Sequence, residues 1–170
     1  MKVLGVDPGT MATGYGVVQA TGIRTFQLVE CGVIRPDREA SLAERLRQVH
    51  EDLAALLARH RPEVLAVEEA FLAVNVRTTL VLGQARGVIL LAGAQAGVEL
   101  AEYSPAEIKK AVTGRGQALK PQVGFMVAQL LRLTRAPTPA DAADGCAVAL
   151  THLLRTARPA ARAAARPARR

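Results

Sequence analysis

Apolar positions along the chain follow two different periods. Val3 to Val6 is a short continuous apolar run that reads as a buried strand. It stops at Asp7-Pro8-Gly9-Thr10, where Pro followed by Gly suits the two central positions of a type II turn. Gly14 to Gln19 and Thr25 to Ile34 read as two further strands, with Thr21-Gly22 as the hairpin turn between them. Three successive strands predict an antiparallel meander, which Pro36-Asp37 breaks. The period then changes. Ser41 with Glu44 three residues on predicts a capping box. Leu42, Leu46, Val49, Leu53, Leu56 and Leu57 recur at helical spacing to about His60, and Pro62 ends the helix. Val64 to Glu68 is a fourth strand. Thr78 to Ala96 reads as a helix rich in small residues (Gly83, Ala85, Gly87), and Val98 to Tyr103 as a fifth strand. Ser104-Pro105-Ala106-Glu107 opens a helix with a cap, a first-turn Pro and a box Glu. The glycine-rich basic stretch Gly114 to Lys120 interrupts, and a helix follows from about Pro121 to Leu133. Thr138-Pro139-Ala140-Asp141 repeats the cap-and-Pro pattern and opens a last helix, to about Arg155. The order β-β-β-α-β-α-β-α-α-α predicts an α/β fold: a mixed five-stranded sheet with helices on both faces.

Composition narrows the class. Of 170 residues, 50% are hydrophobic and 22% charged, which excludes a wholly disordered chain. Aromatics are 3% with no Trp, so the core is expected to be Leu, Val, Ile and Ala. The length suits one domain, over 1–155. Beyond it, 156–170 is a basic Arg/Ala/Pro tail expected to be flexible. Residues 155–170 hold six Arg and no acid, which leaves 16 basic and 15 acidic residues for 1–154. The net charge of +7 is therefore mostly the tail, either a phosphate-binding arm or a solubilising end. The N-terminal apolar run is too short for a secretory leader, and Val88 to Val98 is too short for a membrane span. Cys31 and Cys146 lie far apart, which is no disulfide scaffold. A cytoplasmic, reduced protein is expected.

Acids at strand ends carry the candidate chemistry. Asp7 ends a buried strand, either at a ligand-binding edge of the sheet or merely as the first residue of its own turn. Glu68 and Glu69 end another, and since side chains alternate, only one of them shares a face with Asp7 if the strands are neighbours. Asp141 and Asp144 are three apart on one helix. Asp141 suits the helix dipole, but Asp144 sits among Ala142, Ala143, Gly145, Cys146 and Ala147, where an acid needs a partner. Oxygen-only donors suit Mg²⁺ or Mn²⁺. His50, His60 and His152 form no spaced zinc-ligand set with cysteine. No Walker loop, nucleophile elbow or dinucleotide fingerprint is present.

These residues carry a resemblance. Gly5-Val6-Asp7-Pro8-Gly9, Thr13-Gly14-Tyr15-Gly16-Val17, Ala66-Val67-Glu68-Glu69-Ala70-Phe71 and Leu82-Gly83-Gln84-Ala85-Arg86-Gly87 occur in order, followed by Ile108-Lys109-Lys110, Lys120-Pro121-Gln122-Val123 and Ala140-Asp141-Ala142-Ala143-Asp144. Over 1 to about 154 the chain resembles the RuvC family of Holliday-junction resolvases, within the RNase H-like superfamily. The resemblance implies an endonuclease that resolves four-way DNA junctions during recombination and repair. It implies catalytic and metal-binding carboxylates at Asp7, Glu68, Asp141 and Asp144, and selects Glu68 over Glu69. Asp141 stands where some members have His, so it is a ligand or a proton acceptor. Two Mg²⁺ ions about 4 Å apart are implied, with Mn²⁺ a substitute. Paired nicks with 5′-phosphate and 3′-hydroxyl ends are the implied products.

DNA contacts are implied at Phe71, Lys109 and Lys120, and expected also at Asn75, Arg77 and Arg115. Phe71 would stack on or wedge apart bases at the junction centre. A homodimer is implied, with the Thr78 to Ala96 helix at its interface, and the branch-migration complex of RuvA and RuvB as partner. Competing readings are an RNase H-like nuclease acting on RNA–DNA hybrid or structured RNA, an actin-like ATPase or sugar kinase, and a non-catalytic junction-binding protein. The kinase class needs two such domains, more than 170 residues supply.

Overall fold

A computed structural model describes residues 1–9, 11–69 and 76–157. The strands are β1 (Lys2–Asp7), β2 (Thr13–Gly22), β3 (Thr25–Ile34), β4 (Val64–Glu68) and β5 (Glu99–Tyr103). The helices are α1 (Leu42–His60), α2 (Val76–Gln95), α3 (Pro105–Thr113), α4 (Lys120–Leu130) and α5 (Ala140–Thr156). The strands form one mixed sheet in the order β3-β2-β1-β4-β5. β1, β2 and β3 make the predicted antiparallel meander, while β4 and β5 run parallel to β1. The parallel connections need crossovers, and α1 and α2 supply them.

Alternation along the central strands sorts the core into two halves. Leu4, Val6, Leu65 and Val67 face α1 and α2, against Val49, Leu53, Leu56 and Ile89. Val3, Val64 and Ala66 point the other way, into the layer of α3, α4 and α5. Helix α5 lies against β1, β2 and β3 and is buried along most of its length. Among the described residues, no helix is long and apolar enough to cross a membrane.

Local expectations are corrected at four places. The hairpin turn is not Thr21-Gly22: both stay in β2, Gly22 pairs with Thr25, and Ile23-Arg24 turn, with Arg24 at φ 54°. Gly9 does not take the left-handed conformation that a type II turn demands; a Cβ there would lie 2.0 Å from the Ala12 carbonyl oxygen, so close approach is what calls for glycine. Ser41 caps α1 by accepting from the Glu44 N–H, but the Glu44 carboxylate turns to Arg47 rather than completing a box. Thr138 does not cap α5: the helix begins one residue later, with Pro139 at the cap position and no side-chain bond there. The capping box at Ser104 and Glu107 is present in full.

Candidate active site

The register brings the strand-end acids together. Val6 pairs with Val67 across the parallel β1–β4 ladder, so Asp7 and Glu68 stand opposite each other one step further on. Both share the α5 side with Gly5 and Ala66, because side chains on one face recur every second residue. Glu69 lies just past the end of β4, where its backbone N–H bonds to the Tyr103 carbonyl, and it does not line the cleft that Asp7 and Glu68 line. Register and alternation thus separate the two glutamates.

Helix α5 brings the third acid. It approaches β2 so closely that a Cβ on Gly14 would lie 1.9 Å from the Asp141 carbonyl oxygen, and one on Gly16 would lie 2.7 Å from the Cys146 N and Cα. Gly14 pairs with Asp7 across the β1–β2 ladder. The α5 backbone is therefore seated on the strand next to Asp7, and Asp144 projects over the same edge. Lys120, the first residue of α4, donates to the Asp144 carboxylate at 3.1 Å.

Asp7, Glu68, Asp144, Lys120 and Lys109 line one cleft, floored by Ile108, Val123 and Ala147. Asp141 does not line it, but its charge is felt by Asp7. Arg115 lies in a separate depression with Phe125, and Arg77 is exposed in the first turn of α2. Phe71 and Asn75 lie outside the described residues.

Electrostatics match this crowding. Asp7 is pushed up to about 6, by burial first and then by Asp144 and Asp141, with Lys120 opposing. Glu68 is pushed up to about 8, by burial and then by Asp7 and Asp144, again with Lys120 opposing. The Asp7 charge acts directly on Glu68, as expected of two carboxyl groups that meet at one site. Lys120 is raised, by its bond to Asp144 above all. Without added positive charge the cleft holds fewer full carboxylates than it has carboxyl groups. Oxygen-only donors at one point suit a hard divalent cation such as Mg²⁺ or Mn²⁺. As they stand, no three His, Cys, Asp or Glu side chains among the described residues are gathered closely enough to hold an ion.

The remaining candidate groups are accounted for. His152 is buried and bonds to the Tyr103 hydroxyl at 2.8 Å, and burial lowers its pKa. Lys120 needed the fold to find its partner: twenty-four residues separate it from Asp144.

A mixed sheet in the order β3-β2-β1-β4-β5, with acids ending its adjacent β1 and β4 strands and a third on a helix laid across them, defines an RNase H-like nuclease fold. Residues 3–152 match the family described as crossover junction endodeoxyribonuclease RuvC. A curated member from Pelotomaculum thermopropionicum is 51% identical over 152 residues, covering 89% of this chain and 92% of that protein. The Thermus thermophilus RuvC structure superimposes with a TM-score of 0.84 at 36% identity, covering 92% of this chain and 95% of that one. The same protein in complex with a Holliday-junction substrate gives 0.87 at the same identity and coverage. The chain belongs to the RuvC family of crossover junction endodeoxyribonucleases. Membership sets aside the hybrid-cutting, actin-like and non-catalytic alternatives.

Proposed function

We propose that the chain resolves four-way DNA junctions by symmetric, metal-dependent nicking, with Asp7, Glu68, Asp141 and Asp144 as its catalytic carboxylates. The observation that carries the reading is the convergence of Asp7, Glu68 and Asp144 from two strands and one helix into one cleft edged by Lys109 and Lys120. The crowding of buried carboxyls supports a cation site, because a divalent ion held by Asp7, Glu68 and Asp144 would offset their repulsion. Bound Mg²⁺, two ions per site with Mn²⁺ as substitute, supplies activation of the attacking water and stabilisation of the leaving oxygen. The chain's own part is positional. Asp7 and Glu68 hold the two central strand ends to one point. Asp144, held by Lys120 at 3.1 Å, would turn its carboxylate to the cation when one is bound. Lys120, freed from Asp144, offsets charge at the scissile phosphate. Asp141 tunes Asp7 from the cleft's edge.

Lys109, Arg115 and Arg77 take phosphates; Phe71 and Asn75 approach bases at the crossover. Two equivalent strands require two sites, which a twofold homodimer provides. Helix α2 suits that interface: Val76, Leu80 and Leu91 are exposed, and nothing lies within 4 Å of a Cβ placed on Gly83 or Gly87. Action beside the RuvA and RuvB branch-migration complex, in the cytoplasm, completes the proposal.

The test is cleavage of a mobile four-way junction in Mg²⁺, Mn²⁺ or EDTA, beside a linear duplex and an RNA–DNA hybrid. Paired nicks in the junction alone, lost in EDTA, are expected. Cutting of the hybrid, or junction cutting that survives EDTA, contradicts the proposal.

A further inference from the structure

Charge is segregated along the chain in a way that the cleft alone does not use. Residues 108–140 hold six basic side chains (Lys109, Lys110, Arg115, Lys120, Arg132, Arg135) and no acid, whereas the rest of 1–154 holds ten basic and fifteen acidic residues. This stretch is α3 beyond Glu107, the loop after it, α4 and the approach to α5, and it packs on one side of α5. The fold thereby gathers these basic residues in the layer of α3 and α4, on one side of α5.

In that layer stands Phe125, 61% exposed, although Phe26 is almost wholly buried. Phe125 shares a shallow depression with Thr113, Arg115, Pro121, Gln122 and Met126, and no carboxylate lines it. Phe125 and Gln129 are spaced i, i+4 on α4 and both exposed, so the helix presents ring and amide in one outward row, and the exposed Arg132 follows two residues past its end at φ 54°. Lys120 begins the same helix at the cleft. Phe125 is five residues further on, a rise of about 7.5 Å, which is about two base steps of a duplex strand.

We infer that this outward row of α4 is a second DNA-contact surface, which seats the backbone of a junction arm as it leaves the cleft. The Phe125 ring lies on a deoxyribose and Arg115 and Arg132 take flanking phosphates. The inference rests on the nuclease reading above. Charge complementarity selects the occupant: a polyanion neutralises Arg115, Lys120 and Arg132, whereas a second copy meeting this face with its own would set them against like charges.

The experiment is equilibrium binding of a labelled four-way junction in EDTA, where nothing is cut, using long arms and arms trimmed to the crossover. Phe125→Ala is expected to weaken binding of the long-armed junction about tenfold, in line with aromatic contacts to nucleic acid. Phe125→Tyr should restore it. Trimmed arms should abolish the difference, and single-turnover cutting at saturating protein should be unchanged. Arg132→Ala should lower the slope of log affinity against log salt by about one, whereas Phe125→Ala leaves the slope alone. Wild-type affinity in Phe125→Ala, an equal loss on trimmed arms, or a change in its oligomeric state in sedimentation each overturns the inference. Wild-type protein that cuts no junction sinks the nuclease reading, and the inference falls with it.

Discussion

The two faces of the sheet are packed by opposite means. On one, α1 and α2 meet the strands through large aliphatic side chains, with Leu53, Leu56 and Ile89 against Leu4, Leu65 and Val67. On the other, α5 comes down onto β1 and β2 until backbone touches backbone at Gly14, Gly16 and Gly145. Side-chain packing absorbs change, because neighbours shift to refill volume. Backbone contact has no such slack. The acids of the cleft all lie on the unyielding side. Their spacing is therefore set by main-chain contact between rigid elements, which is the firmest support a multi-residue site can have.

Substitutions can break this contrast, and the largest effect is expected on the α5 side. Gly16→Val puts atoms where the Cys146 backbone is, and should cost about 4 kcal/mol or more, read as loss of the cooperative unfolding transition. Asp7→Asn should cut junction cleavage about a thousandfold or more, since several kcal/mol of metal-borne stabilisation is lost. In EDTA at pH 8 the same variant should melt higher than wild type, because a buried charge has been removed. On the α1 side, Leu53→Ala should cost about 3 kcal/mol in urea denaturation while the cutting rate per folded molecule stays near wild type.

A change of pH sharpens the same comparison. Asp7 and Glu68 titrate higher in the folded protein, near 6 and 8, than the usual value of about 4 in an unfolded chain. The folded state thus holds protons that the unfolded state has released. Stability should fall as pH rises from about 4 to about 8 in EDTA. Urea midpoints at pH 5 and pH 8 check this, and Mg²⁺ at pH 8 should recover part of the loss. The smallest effect belongs to the cap far from the site. Ser41→Ala should cost about 1 kcal/mol in the same assay and leave cutting untouched.

Legibility in the sequence follows the same physics. All ten elements are legible, α1 from a clean apolar period and α3 and α5 from their caps and prolines, and the boundaries slip by up to three residues where a turn lacks a marker. Arg24 shows why: nothing in an Arg announces a left-handed residue, so the hairpin turn is displaced toward the more obvious Gly22. Asp7 and Glu68 are legible because an acid interrupts an apolar run at its end. The bond between Lys120 and Asp144 is not, because it depends on α4 folding back against α5. The basic stretch 108–140 leaves a clear trace in the sequence, but a net charge summed over 1–154 cancels it against the acids elsewhere. The strand glycines Gly14 and Gly16 read as part of a family pattern; only the packing of α5 shows what they do.

The central claim is that chain alternation and parallel register put Glu68, and not its neighbour Glu69, into the cutting site with Asp7. Junction cleavage in Mg²⁺ by Glu68→Gln beside Glu69→Gln tests it most directly. The account predicts that Glu68→Gln loses cutting about a thousandfold or more while still binding the junction, and that Glu69→Gln cuts at close to the wild-type rate. Cutting retained by Glu68→Gln, or lost equally in both, would contradict it.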